Sequence, residues 1–285
     1  MAIRRSSNSQ NNGKSGKEAG HEPILNLKGY LLGNPWTDNK IDKNAVVPYL
    51  HGMGIISDEL YESAKKNCDN DYYSNAGHSL CSKDLEKINE FLSEIDKAAI
   101  LEPNCPFAAP KPMETGEHRR SLEVNSSRFI LPQPQPTFGC REYSYLLCYY
   151  FANNDSARKA LHIRKGTVGE WVRCNFGLPY IREITSSIKY HLNLNPKGYR
   201  ALVYSGDHDS SVPFLGTQAW IRSLNFSIID EWRSWWVDGQ VAGYTRTYAN
   251  NLTFATVKGG GHTAPEYKPK ECFAMFYRWV SNKPL

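Results

Sequence analysis

Two short apolar runs, each closed by glycine and one or two ionisable side chains, constrain this chain more than any other feature. The first is Ala201-Leu202-Val203-Tyr204-Ser205-Gly206, followed by Asp207-His208-Asp209-Ser210-Ser211-Val212-Pro213. The second is Leu252-Thr253-Phe254-Ala255-Thr256-Val257, followed by Lys258-Gly259-Gly260-Gly261-His262. Brief apolar runs bounded by turn residues predict buried strands. The glycines predict sharp turns where those strands leave the sheet. The pattern thus carries a carboxylate and an imidazole to two strand ends.

The rest of the chain fits helices around such a sheet. Residues 1–23 are polar and predict a disordered tail. Leu25 to Gly33 reads as a further buried strand, which Pro35 prevents from continuing as a central one. Ser57 to Lys66 reads as a helix capped by Ser57 or Asp58. Lys83 to Ala99 reads as another, with Leu85, Ile88, Phe91, Leu92 and Ile95 on one face. Glu102 to Thr137 is proline-rich and irregular, the length of a linker or a functional loop. Its Arg119-Arg120 pair reads as a solvated charge pair rather than a processing site. Asp155–Ile163, Tyr180–Leu194 and Phe214–Leu224 read as helices, and Gln240–Tyr248 as a strand. A closing helix starts at Pro269 and shows Phe273, Phe276 and Val280 as its apolar stripe. Trp232-Arg233-Ser234-Trp235-Trp236 reads as core or cap packing. This order predicts an α/β fold, with a sheet over 24–285 interrupted by an insertion at about 58–140.

Composition removes several function classes. The 285 residues are 40 % hydrophobic, enough for a substantial core, and carry a net charge of +5. Arg4, Arg5, Lys14 and Lys17 have no aromatic residues alternating with them, so nucleic-acid binding is not expected. No apolar run approaches the roughly twenty residues of a membrane span. The 7 cysteines lack Cys-x-x-Cys spacing, which favours disulfides over zinc, and the histidines other than His208 and His262 show no metal-ligand pattern. No metal or other cofactor is expected. Glycosylation sequons begin at Asn125, Asn154, Asn225 and Asn251, which point to secretory transit. Residues 1–22 nevertheless contain no apolar segment of a signal peptide, so the expectation is that the natural start lies upstream.

Asp first and His some fifty residues later is the order in which α/β-hydrolases supply the last two members of a Ser-Asp-His triad. The three glycines before His262 leave its imidazole free at a strand end, where a carboxylate on Nδ1–H would fix the tautomer. Asp209, standing before Ser210-Ser211-Val212-Pro213, is favoured as that carboxylate over Asp207, which suits ordering of the turn. His208 between them is expected to be exposed. Neither a phosphate loop nor a calcium loop matches these spacings. A Gly-x-Ser-x-Gly elbow, which would bring the nucleophile, does not occur in these residues.

From about Leu25 to Leu285 the chain resembles the C-terminal portion of plant serine carboxypeptidase-like proteins. Four stretches carry the resemblance: Gly29-Tyr30-Leu31-Leu32-Gly33-Asn34-Pro35, Tyr204-Ser205-Gly206-Asp207-His208-Asp209, Gly243-Tyr244-Thr245-Arg246, and Gly260-Gly261-His262-Thr263-Ala264-Pro265-Glu266-Tyr267. It implies an α/β-hydrolase fold with a helical cap, the N-terminal half of the sheet missing, and Asp209 and His262 as triad members. It also implies N-glycans and a secreted or vacuolar full-length parent. Family pairing implies disulfides Cys68–Cys81 and Cys105–Cys140, and a partner for Cys174 in the absent segment. His262-Thr263-Ala264-Pro265 and Gln218-Ala219-Trp220-Ile221-Arg222-Ser223-Leu224 look more like the acyltransferase branch than the true peptidases.

The expectation is therefore a truncated member whose parent acts on a small-molecule acyl ester or a peptide, and which alone is inactive. A non-catalytic binding or regulatory remnant is the alternative, and a misassigned start codon the third reading.

Overall fold

A computed structural model describes residues 26–105, 140–174, 179, 181 and 183–285. The polar tail, Asn125, Arg119-Arg120 and most of the proline-rich stretch lie outside the described residues. The chain divides into one body of residues 1–101 and 184–285 and a second of residues 102–183. The insertion expected at about 58–140 straddles this division.

The first body is built on five strands: β1 (Gly29–Gly33), β2 (Arg200–Gly206), β3 (Ile228–Val237), β4 (Gln240–Tyr248) and β5 (Leu252–Val257), in the order β1-β2-β5-β4-β3. β1, β2 and β5 are parallel, and β4 and β3 continue antiparallel. Both faces of β2 are covered by a core, so its side chains are apolar on both, as a near-continuous hydrophobic run predicts. Ala201 and Val203 enter one core with Leu32, Trp220, Ile221 and Phe254; Leu202 enters the other with Trp235, Val257 and Met275.

Helices follow the strands. α1 (Asn39–Asn44) and α2 (Val46–Gly52) come after β1, and α3 (Asp58–Asn67) and α4 (Ser79–Ser93) form a hairpin. The Ser57 hydroxyl caps α3 at the Leu60 N–H, and the Cys68–Cys81 disulfide joins the hairpin's ends. Ile88 and Leu92 are buried in its core, with Leu85, Phe91 and Ile95 packed alongside. α4 stops at Ser93 rather than Ala99, because residues 96–98 turn away: the Asp96 carboxylate accepts the Ala98 N–H at 2.8 Å.

Two further readings, the start of α7 and the buried stripe of α10, are corrected by the structure. α7 (Ile188–Leu194) starts later than Tyr180, since Asn39 donates to the Thr185 carbonyl and Ser187 to that of Thr37 at 3.0 and 2.8 Å. Backbone groups engaged across that bridge cannot join a helix. The tryptophan stretch lies in strand β3, where Trp235 is fully buried in the core as expected while Trp236 is half exposed; β3 joins β4 through Asp238-Gly239, both at positive φ, as a tight hairpin demands. α10 (Pro269–Val280), which follows the short α9 (Ala264–Tyr267), buries Cys272 and Met275, whereas Phe273 is 69 % exposed and Phe276 and Val280 also face outward. α8 (Phe214–Ser223) lies over the other face of the sheet through Trp220 and Ile221.

The second body has its own framework. α5 (Glu142–Asn153), not anticipated from the sequence, leads into α6 (Asp155–Ala160). The Cys105–Cys140 disulfide closes a loop ahead of them. Arg158 fastens this body by donating to the Ala152 and Gly169 carbonyls and to Asn153 Oδ1, each at 2.8 Å. Cys148 and Cys174 are exposed thiols.

Two buried ionisable groups in the first body set opposite pH dependences. The Asp42 carboxylate accepts the Thr37 and Asp38 amides at 2.6 and 2.8 Å, yet its Oδ1 has no hydrogen-bond partner among the described residues. Burial pushes its pKa up to about 6 despite those amides. Burial also pushes His191, stacked on Trp220, down to about 4. A carboxyl raised in the folded state contributes its full stability below its unfolded value near 4, and that contribution is lost as pH rises through 6. A histidine lowered in the folded state does the reverse, costing stability as pH falls from its unfolded value toward 4. Asp42→Asn is therefore expected to raise stability above pH 6 by up to about 3 kcal/mol and to change little near pH 4, as thermal melts across pH will read.

Candidate active site

The site is assembled where β1, β2 and β5 end side by side. β2 and β5 are in register through Gly206↔Val257, so the segments after them leave the sheet together. They approach backbone to backbone. A Cβ on Gly206 would lie 2.3 Å from the Gly261 carbonyl oxygen and 2.4 Å from that of Gly260. Any side chain at 206 would force the two loops apart.

Asp209 has no exposed surface. Its Oδ1 accepts the backbone amides of Ser211 at 2.8 Å and Val212 at 3.2 Å. Its Oδ2 accepts Asn34 Nδ2 and His262 Nδ1, each at 2.8 Å. The His262 side chain is 43 % exposed, and its Nε2 has no hydrogen-bond partner among the described residues. The Asp209 hydrogen bond raises the His262 pKa above the usual imidazole value, against burial, which lowers it. An imidazole held by a buried carboxylate at Nδ1 and open at Nε2 can take a proton from a hydroxyl and return it to a leaving group.

Asp207 serves a different neighbourhood. Its Oδ1 accepts the Gly259 amide at 2.7 Å and His208 Nδ1 at 2.6 Å, tying the two loops together. His208 is accordingly half-buried rather than exposed. The Tyr49 hydroxyl donates to the Asp207 carbonyl at 3.0 Å. Burial, with the Asp209 and Asp207 charges behind it, raises the Tyr49 pKa above the ordinary phenol value.

Two contributors went unassigned in the sequence. Asn34, at the end of β1, reaches Asp209 from the strand on its other side. Its signal was an asparagine between a strand-ending glycine and a proline. The other is the strap after α4. The Lys97 carbonyl accepts the Ser210 and Ser211 amides, both at 3.1 Å, and the Ala98 carbonyl accepts the His262 amide at 2.6 Å. Carbonyls leave no mark in a sequence. Of the sequon asparagines, Asn154, Asn225 and Asn251 are exposed. Among the described residues no cluster of His, Cys, Asp or Glu could hold a metal ion, and no helix is long and apolar enough to cross a membrane.

With this geometry in hand, comparison with known proteins decides the family. The serine carboxypeptidase family model, peptidase S10, matches residues 9–282. The chain belongs to the serine carboxypeptidase family. It is 47 % identical over 265 residues to serine carboxypeptidase-like 7 of Arabidopsis thaliana, covering 93 % of this chain and 54 % of that protein. It is likewise 48 % identical to serine carboxypeptidase-like 3 over 92 % of the chain and 53 % of the relative, and 47 % identical to serine carboxypeptidase-like 19 over 95 % and 58 %, both of Arabidopsis thaliana. The chain thus spans about half the length of the curated relatives it matches. Among solved structures, Kex1(delta)p, a prohormone-processing carboxypeptidase from Saccharomyces cerevisiae, superposes with a TM-score of 0.63 at 17 % identity, over 96 % of this chain and 58 % of that one. The shared fold is that of an α/β-hydrolase.

Asp209→Asn should lower the His262 pKa, because it removes the group that raises it and leaves burial unopposed; an NMR titration of the imidazole measures this. Gly261→Ala should displace His262 as well, since a Cβ there would lie 2.4 Å from the Ala98 carbonyl that anchors the neighbouring amide. Loss of the His262–Asp209 coupling in the same titration is the expected outcome.

Proposed function

We propose that these residues supply the aspartate–histidine half of a serine acyl-transfer centre, whose nucleophile lies outside the 285-residue chain. One observation carries the reading: the buried Asp209 carboxylate meets His262 Nδ1 at 2.8 Å while the His262 side chain as a whole stays 43 % exposed. Family membership and the order Asp before His support it. The absence of a Gly-x-Ser-x-Gly elbow from these residues supports the external nucleophile.

The chemistry follows from the geometry. A serine hydroxyl attacks an acyl carbonyl while His262 Nε2 takes its proton; Asp209, on Nδ1–H, orients and stabilises the imidazolium. The imidazolium returns that proton to the departing group, leaving an acyl-enzyme. A second hydroxyl, from an alcohol or from water, then takes the acyl group by the same steps in reverse. Transfer from a glucose ester to an alcohol is the favoured activity of the full-length parent, on the resemblance of His262-Thr263-Ala264-Pro265 and Gln218–Leu224 to the acyltransferase branch. Hydrolysis of C-terminal peptide bonds uses the same groups with water as acceptor. The sequons and disulfides suit a secreted or vacuolar glycoprotein.

The purified chain is expected to turn over neither glucose esters nor blocked dipeptides. A longer chain that adds an in-frame upstream segment of the Gly-Asp-Ser-Tyr-Ser-Gly type should turn over one of them, and His262→Ala should reduce that rate by about 10⁴-fold or more. Turnover by the 285-residue chain, abolished by His262→Ala, would refute the external nucleophile.

A further inference from the structure

We infer that Asn34 is the positioning residue for the Asp209–His262 pair: its side-chain amide sets the plane of the Asp209 carboxylate and, through it, the tautomer of His262. The inference rests on the proposed role of that pair and extends it to a third strand end.

The geometry starts with the backbone. Asn34 follows the last residue of β1, is 3 % exposed, and sits at φ 41°, a left-handed conformation that asparagine tolerates better than most residues. Its amide donates to the Tyr204 carbonyl at 2.8 Å, which carries the β1–β2 ladder one step past the strand. Its Oδ1 accepts the Gly206 amide at 3.1 Å, so both ends of the side chain are fixed against β2. Nδ2 is then aimed at Asp209 Oδ2 at 2.8 Å, with Ser205 Oγ at 3.4 Å as its second acceptor.

Four donors surround the Asp209 carboxylate, two on each oxygen, and they differ in kind. The Ser211 and Val212 amides hold Oδ1 from within the same turn. Among the described residues, Oδ2 has only Asn34 and His262. His262 is itself the group to be oriented and is 43 % exposed, so it cannot fix the carboxylate that orients it. Asn34 therefore supplies the one buried side-chain reference for Oδ2. Its chemistry is specific to the amide. Oδ1 must accept from Gly206 while Nδ2 donates to a carboxylate, and neither aspartate nor leucine offers both.

Two substitutions in the folded chain, carrying isotope-labelled histidine, separate this role from a structural one. Asn34→Ala is expected to loosen Oδ2, replacing a fixed Nδ1–H tautomer of His262 by a mixture and speeding exchange of that proton with water by about tenfold or more. Asn34→Asp keeps the shape but sets a second carboxyl against Asp209 Oδ2, where like charges cannot both ionise; the proton they share replaces the amide's hydrogen bond, so the His262 Nδ1–H should exchange at close to the parent rate until that proton titrates, and faster above it. General destabilisation would not give these two distinct signatures. A tautomer and exchange rate unchanged across pH in both variants would overturn the inference, as would loss of the fold in both, which would make Asn34 structural. Asp209→Asn serves as the reference: if it too leaves His262 unmoved, the pair itself fails, whereas movement there with silence at Asn34 sinks only the present inference.

Discussion

A carboxylate removed from water needs hydrogen bonds in place of its hydration shell, and Asp209 finds them in three directions. Two amides of its own loop hold one oxygen, while a side chain from β1 and one from the loop after β5 hold the other. Because these partners come from segments 175 and 53 residues away, the carboxylate is satisfied only once the three parallel strands are in register. Sheet and site are thus one problem. The same register that buries Val203 and Phe254 also brings Asn34, Asp209 and His262 together.

Close approach of the two loops is the second half of that problem. With Gly206 against the carbonyls of Gly260 and Gly261, and Asp207 clasping the Gly259 amide, the segments after β2 and β5 behave as a single unit. The imidazole leaves this unit half-exposed, while its carboxylate partner is sealed beneath it. Such an arrangement shields the carboxylate and leaves part of the imidazole open to solvent.

Much of this was legible in the sequence, and the reasons are local. Strands β2 and β5 announce themselves because both of their faces are buried, giving runs that end in glycine. Helix α3 carries its own cap, and α10 its proline. What escaped depends on distant partners. β3 hides its alternation behind register shifts between Ile228 and Asp230, Asp230 and Arg233, and Trp235 and Trp236. α10 has apolar residues on more than one side, so spacing alone selected Phe273 and Phe276 when packing selected Cys272 and Met275. The start of α7 was lost to a bridge with residues 37–39, more than a hundred positions earlier. Asn34 lay inside a recognised motif, but nothing in its flanking residues says that its amide reaches across to Asp209.

The strap at Lys97 and Ala98 grips both loops with main-chain oxygens alone. Its contribution is written in chain length and direction, not in residue identity, so the side chains at these two positions are at liberty to drift. Substitution scanning would pass over the strap; a one-residue deletion between α4 and Ile100 would slide both acceptors out of reach at once.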